Sequence, residues 1–195
     1  MSHSRYSCVA MASRDQLLDA ALTALNRQPT ATMAEIATAV GSSRATLHRH
    51  FSSREALIAE IAVRAVDRWE LTQEQAGIRE ASESTDSAVI RAALDALLRQ
   101  YALDAADFGI VLTDDFAASV PEMTERGHAI VEREVVFYAQ AQRVGVLRSD
   151  LPARWIADVV YGLMVSARES MRWGNVARRD LSDLVVSTFF AGVGR

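Results

Sequence analysis

The sequence contains no lysine, a single cysteine, three prolines and no apolar run long enough to cross a bilayer. Each shortage excludes something. Without lysine, arginine carries all 21 positive charges, and together with abundant alanine this reads as the codon bias of a GC-rich genome. Cys8 has no second cysteine to pair with, which rules out an internal disulfide and a thiolate metal centre and suits a reducing compartment. The longest apolar stretch, around Ile156 to Ala167, is interrupted by Asp158 and falls short of the ~20 residues a span needs. The first twelve residues hold only the short run Cys8 to Ala12, not the apolar stretch of a signal peptide, so the expectation is a cytoplasmic protein with a leader at 1–12 outside the fold. With 50% hydrophobic and 24% charged residues, the rest is an ordinary folding chain, neither disordered nor fibrous.

The formal net charge of −4 disfavours nucleic acid as a partner only if the chain is averaged. Residues 1 to 56 hold six arginines (5, 14, 27, 44, 49, 54) against four acids (15, 19, 35, 55), a balance of +2 that leaves −6 for the remainder. Between Gly41 and Arg54 lie three arginines and two histidines with no acid. A small basic surface on an otherwise acidic molecule is the pattern of a localised DNA contact.

Helical periodicity dominates and strand-like alternation is nowhere sustained. Ser13 with Gln16, Thr32 with Glu35 and Ser52 with Glu55 have the spacing of capping boxes, placing helix starts near Arg14, Met33 and Arg54. Pro29 ends the first helix and Gly41 the second, after which Ser42 or Ser43 caps a third starting near Arg44. On this third helix Leu47 and Phe51 share the core side, while Ala45, His48 and Arg49 point away. Two short helices around a four-residue turn make a helix-turn-helix. A long fourth helix fades near Gly77. Beyond a polar break at Arg79 to Asp86 follow a fifth helix through Tyr101, a sixth over Ala105 to Ala118, a seventh opened by Pro121, an eighth opened by Pro152 and a last one from about Leu181. The expected fold class is all-α: a three-helix N-terminal helix-turn-helix domain at 13–58, and a C-terminal helical bundle at 59–195, about nine helices in total.

The stretch Thr32-Met33-Ala34-Glu35-Ile36-Ala37, then Gly41-Ser42-Ser43-Arg44-Ala45-Thr46-Leu47-His48-Arg49-His50-Phe51, then Ser53-Arg54-Glu55-Ala56-Leu57-Ile58 resembles the DNA-binding domain of the TetR family of transcriptional regulators. The likeness covers about the first 60 residues. Two departures are His48, where the family usually has tyrosine, and Ser42, where it usually has valine or isoleucine. The resemblance implies a repressor that binds a palindromic double-stranded DNA operator as a homodimer, paired through its last two helices, and is released by a small-molecule effector. It further implies that the third helix enters the major groove. A helix fits that groove, and Arg44 is the candidate for a two-bond contact to guanine. Thr46, Arg49, His50 and Arg54 are expected on the phosphate backbone, and Thr32, Ser43, Ala45 and His48 complete the DNA-facing set.

In the C-terminal part, Trp69, Tyr101, Phe108, Phe116, Phe137, Tyr161 and Met164 are the expected lining of an effector cavity. Asp104, Asp107, Asp114 and Asp115 tilt the expectation towards a neutral or cationic amphipathic ligand. No cofactor, metal site or membrane partner is expected: His48 and His50 face different sides of one helix. A rival class, an enzyme on a helical bundle, lacks a phosphate-cradling glycine loop, a metal-ligand spacing and an activated nucleophile in this sequence. A third reading keeps the DNA-binding fold for activation or nucleoid organisation.

Overall fold

The computed structural model describes residues 13–194. The expected leader 1–12, Cys8 included, lies outside the described residues. The chain runs through α1 (Arg14–Arg27), α2 (Met33–Ala39), α3 (Arg44–His50), α4 (Arg54–Gln75), α5 (Ile78–Glu83), α6 (Ser87–Phe108), α7 (Asp115–Ser119), α8 (Pro121–Arg143), α9 (Ala153–Arg172) and α10 (Leu181–Val193). Short 3₁₀ turns cover Gly109–Leu112 and Arg178–Asp180. Among the described residues the only extended pairing is an isolated bridge between Leu147 and Gly194. No described helix is long and apolar enough to cross a membrane.

The first two capping boxes form as the spacing predicts: Ser13 with Gln16 opens α1 and Thr32 with Glu35 opens α2, each satisfying helix-end N–H groups that would otherwise lack partners. At α4 the register differs by one, because Ser53 sits in extended backbone and its hydroxyl accepts from Ala56 N, whereas Ser52 stays outside the helix. Gly41 takes φ +68, a left-handed turn that glycine enters without steric cost, and this lets the chain reverse between α2 and α3.

The count is ten α-helices among the described residues, against an expectation of about nine. The addition is α5, which occupies the stretch read as a polar break: Ile78 and Ala81, one turn apart, are both buried and anchor a helix whose other side is solvated. The expected sixth helix at 105–118 adds nothing to the count: its first part is a continuation of α6, and only its last part remains separate, as α7. The long α6 ends at Phe108, the chain tightens into the 3₁₀ turn, and Asp114 starts a fresh helix by accepting from Phe116 N and Ala117 N.

Two apolar clusters form. The N-terminal one joins Leu18 and Leu25 of α1, Ile36 of α2, Leu47 and Phe51 of α3 and Leu57, Ile58 and Ile61 of α4. It also recruits Ile110, Val111, Ala117 and Val120 from the segment around α7, although these belong to the C-terminal half of the chain. The C-terminal cluster is built on α6, α8, α9 and α10, with Tyr138, Phe137 and Phe189 fully buried. Trp69 of α4 packs against both. A boundary at 58/59 therefore falls inside a continuous helix shared by the two cores.

Candidate DNA-reading face and acid-lined cavity

On α3, Ser43 caps the helix by accepting from Thr46 N at 3.0 Å, and Leu47 is its one fully buried side chain. That anchoring fixes the rotation of the helix, so Arg44, Ala45 and Arg49 face solvent. Arg44 Nε donates to His48 Nε2 at 3.4 Å, which leaves His48 Nδ1 to donate to Ser52 O at 3.2 Å. Arg49 Nη2 lies 3.4 Å from the Thr46 hydroxyl. Both guanidiniums keep free N–H groups on the exposed face and neither forms an ion pair among the described residues. The sequence-expected positions 43 to 50 thus come together on one short helix. His50 sits half-buried, tilted against the Phe51 ring.

Two expected DNA-facing residues are committed elsewhere. The Thr32 hydroxyl is used in its own cap, accepting from Glu35 N and donating to Glu35 Oε2 at 2.8 Å. Arg54 turns inward: it donates to Pro29 O at 2.6 Å and Ala31 O at 3.3 Å, and pairs with Asp114 at 3.2 Å. A guanidinium so engaged does not project towards a phosphate. It ties the loop before α2 and the start of α4 to the segment that begins α7.

Asp114 also lines a cavity of about 420 Å³ between α4, α6, α8 and α9. Trp69, Tyr101, Tyr161 and Met164 line it as expected residues do; Phe108, Phe116 and Phe137 do not. Phe137 is wholly buried in the core between helices, Phe116 on the short α7 is 37% exposed, and Phe108, the last residue of α6, packs against the N-terminal cluster instead. The sequence reading passed over Glu134, a carboxylate in the cavity wall, one turn from Ile130 and Tyr138 on the buried face of α8.

Glu134 is held by Tyr101 Oη at 2.6 Å, Gln73 Nε2 at 3.1 Å and Tyr138 Oη at 3.3 Å. Burial raises its pKa to about 7, with these three hydrogen bonds and nearby Arg133 opposing the shift. Burial first, and the adjacent carboxylate second, push both tyrosines well above the ordinary phenol value. Between about pH 4.5 and pH 7 the native Glu134 keeps its proton while the unfolded chain has lost it. Stability is therefore expected to fall as pH rises through this window, by at most about 1.4 kcal/mol per pH unit, and to level above it. Urea midpoints at pH 5 and pH 7.5 test this: Glu134→Gln should lose that component, and identical pH profiles for both proteins would refute the assignment.

The aspartates expected to attract a cation are mostly spent. Asp104 is buried and bonded to Arg68 and Thr72, Asp107 is clasped by both Nη atoms of Arg178, and Asp114 is shared with Arg54. Asp115 stays exposed at the cavity mouth. Among the described residues no group of three His, Cys, Asp or Glu side chains is placed to hold a metal ion.

Residues 17–61 match the family model described as bacterial regulatory proteins, tetR family. The chain is 26% identical over 182 residues to the HTH-type transcriptional repressor LfrR of Mycolicibacterium smegmatis, covering 93% of this chain and 90% of that protein. Among solved structures, the LfrR regulator from Mycobacterium smegmatis in complex with proflavine aligns with a TM-score of 0.61 at 24% identity, over 93% of this chain and 97% of that one. AibR, in complex with isovaleryl coenzyme A and operator DNA, aligns with a TM-score of 0.64 at 18% identity, over 90% of this chain and 96% of that one.

Proposed function

Because the chain belongs to the tetR family of bacterial regulatory proteins, we propose that it is a repressor that grips a palindromic operator as a homodimer and lets go when a small molecule enters the acid-lined cavity. The observation that carries this reading is Asp114, a single side chain that lines the cavity and holds Arg54 of the helix-turn-helix. A ligand that draws on Asp114 or displaces the α7 segment perturbs the core of the DNA-binding half through Val111, Ala117 and Val120. Release requires the ligand to bind the DNA-incompetent arrangement more tightly, so ligand and operator weaken each other by the same factor.

The effector class follows from the wall. Aromatic and aliphatic side chains supply most of it, with Glu134 buried on one side and Asp114 and Asp115 near the mouth. This suits a neutral or cationic amphipath, and proflavine, present in the complex of the mycobacterial relative, is the first probe. An amphipathic cation would favour the ionised Glu134, so its affinity should rise as the pH passes about 7.

The dimer reading rests on α9 and α10. Trp155 is 55% exposed and Leu184 46%, and Gly162 and Ser166 leave the outer side of α9 open to close approach. Phe190, by contrast, is already covered by Arg91 at 4.4 Å from its ring centre. Pairing this face with its copy forms a four-helix contact and sets the two α3 helices to read half-sites roughly 34–36 Å apart. Sedimentation at micromolar concentration should show twice the 21.4 kDa chain mass, and a clean 21.4 kDa species would sink the dimer.

Selection from random DNA tests the operator reading: a two-fold-related motif is expected, and an unenriched pool overturns it. Asp114→Asn tests the route. It should keep operator binding but lower the ligand–DNA coupling by about 0.5–2 kcal/mol, seen as a smaller ratio between ligand affinities measured without and with operator. An unchanged ratio removes Asp114 from the mechanism.

A further inference from the structure

A second cleft, of about 690 Å³, opens between the end of α1, the end of α6, the end of α9 and the 3₁₀ turn at Arg178–Asp180. It shares no lining residue with the acid-lined cavity, and its charge character is opposite. Arg27, Arg168, Arg172 and Arg178 lie in its wall with Asp19 and Asp107. Asp19 is engaged by Arg64 at 2.8 Å, and Asp107 is held by Arg178 at 2.6 and 2.8 Å. Glu169 is divided between Arg172, at 2.7 Å, and Arg168 Nη1. Arg27 has no ion-pair partner among the described residues. The acids are therefore satisfied and the arginines are in excess.

Arg168 stands out within this group. Only 4% of it is exposed, yet its Nε and Nη2 have no hydrogen-bond partner among the described residues. A buried N–H without an acceptor is costly, and a buried guanidinium is more so. The fold makes specific room for it: a Cβ on Gly109 would lie 2.4 Å from Arg168 Cγ, so the side chain can pass only where residue 109 has none. Burial also depresses the proton affinity of this guanidinium, and Arg172 beside it acts the same way. An arrangement that buries a cation next to other cations and leaves two of its donors unused is completed by an acceptor from outside.

We propose that this cleft is a second ligand site, which takes a small organic anion by its carboxylate or phosphate head. The planar fork of Arg168 matches both heads through paired N–H···O bonds. Arg27 and Arg172 supply the remaining positive charge at the rim. Leu22, Phe108 and Met171 provide an apolar wall for the rest of the molecule, which distinguishes an amphipathic anion from a bare inorganic one. Arg27 belongs to α1, in the DNA-binding half, whereas Arg168 and Arg172 belong to α9, so a bound anion bridges the two halves of the chain.

Calorimetric titration of the full chain at fixed ionic strength tests this, with hexanoate and hexyl phosphate as the anions and hexanol as the neutral control. Saturable binding of one or both anions, at least tenfold tighter than hexanol, is expected; which one binds identifies the head group. Arg168→Gln should weaken binding at least tenfold, and Arg168→Lys should restore only part of it because the fork is lost. Gly109→Ala should weaken it by displacing the Arg168 stem. As a safeguard against loss of folding, Arg27→Gln, an exposed change, should weaken binding several-fold with an unaltered urea midpoint. Equal binding of hexanol, or anion binding that ignores both Arg27→Gln and Arg168→Gln, overturns the site.

Discussion

Replacing Asp104 by alanine is expected to cost about 3 kcal/mol of folding stability, towards the lower end of the range for breaking a buried ion pair. The side chain is 2% exposed and accepts three hydrogen bonds: from Arg68 Nε at 2.8 Å, Thr72 Oγ1 at 2.6 Å and Gln100 Nε2 at 2.8 Å. Two of those donors belong to α4 and one to α6, so a single carboxylate joins the helix that leaves the N-terminal cluster to a central helix of the C-terminal one. Truncation strands a buried Thr72 hydroxyl and a guanidinium whose partner is gone. Arg68 is 30% exposed and regains some hydration, which is why the low end of the range applies. Replacing the set together, with Arg68→Met and Asp104→Leu, should recover part of the loss, because an apolar pair of similar volume needs no partners. Urea unfolding measures both; a loss below about 1 kcal/mol for the single change would mean that the network is not stabilising.

The second large effect concerns DNA. Arg44→Ala should weaken operator binding by about 1–3 kcal/mol, roughly 5- to 150-fold, and relax preference at one base position in each half-site. Arg44 is exposed near the N-terminus of α3, the end of a recognition helix that meets base edges. Its Nε is steadied by His48, leaving the two terminal amino groups of the fork free for a base. Arg49, a turn further along, should behave differently: Arg49→Ala should weaken all sequences alike and lower the salt slope by about one. Selection from random DNA with the two variants separates the roles, and an Arg44 variant with wild-type preference would end its assignment as a base reader.

The DNA-binding half was legible in the sequence because its determinants are local. Capping boxes at Ser13 and Thr32, the turn at Gly41, and the separation of Leu47 from Arg44 and Arg49 all depend on neighbours within one helical turn. The one local misreading, Ser52 for Ser53, is a choice between adjacent hydroxyls that spacing cannot distinguish. The C-terminal half was legible as a set of helices but less so at its breaks. An eight-residue polar stretch hid α5, since two buried residues suffice to hold six in a helix. The need for glycine at 109, where the Arg168 side chain passes from nearly 60 residues away, lies in no local window.

The sequence by itself determined that this chain is helical, where its candidate DNA-reading helix lies and which side of that helix is basic, because periodicity and capping act between residues a few positions apart. Only the tertiary structure decided which charges are free. It turned Arg54 from an expected phosphate contact into the partner of Asp114, and it spent Asp104 and Asp107 on arginines of other helices. It also brought Glu134 to a cavity wall and buried Arg168 with donors unfilled. Ionic and hydrogen-bond partners are chosen by distance in space, across separations of 36 to 71 residues for three of these pairs, and that choice is made when the helices pack.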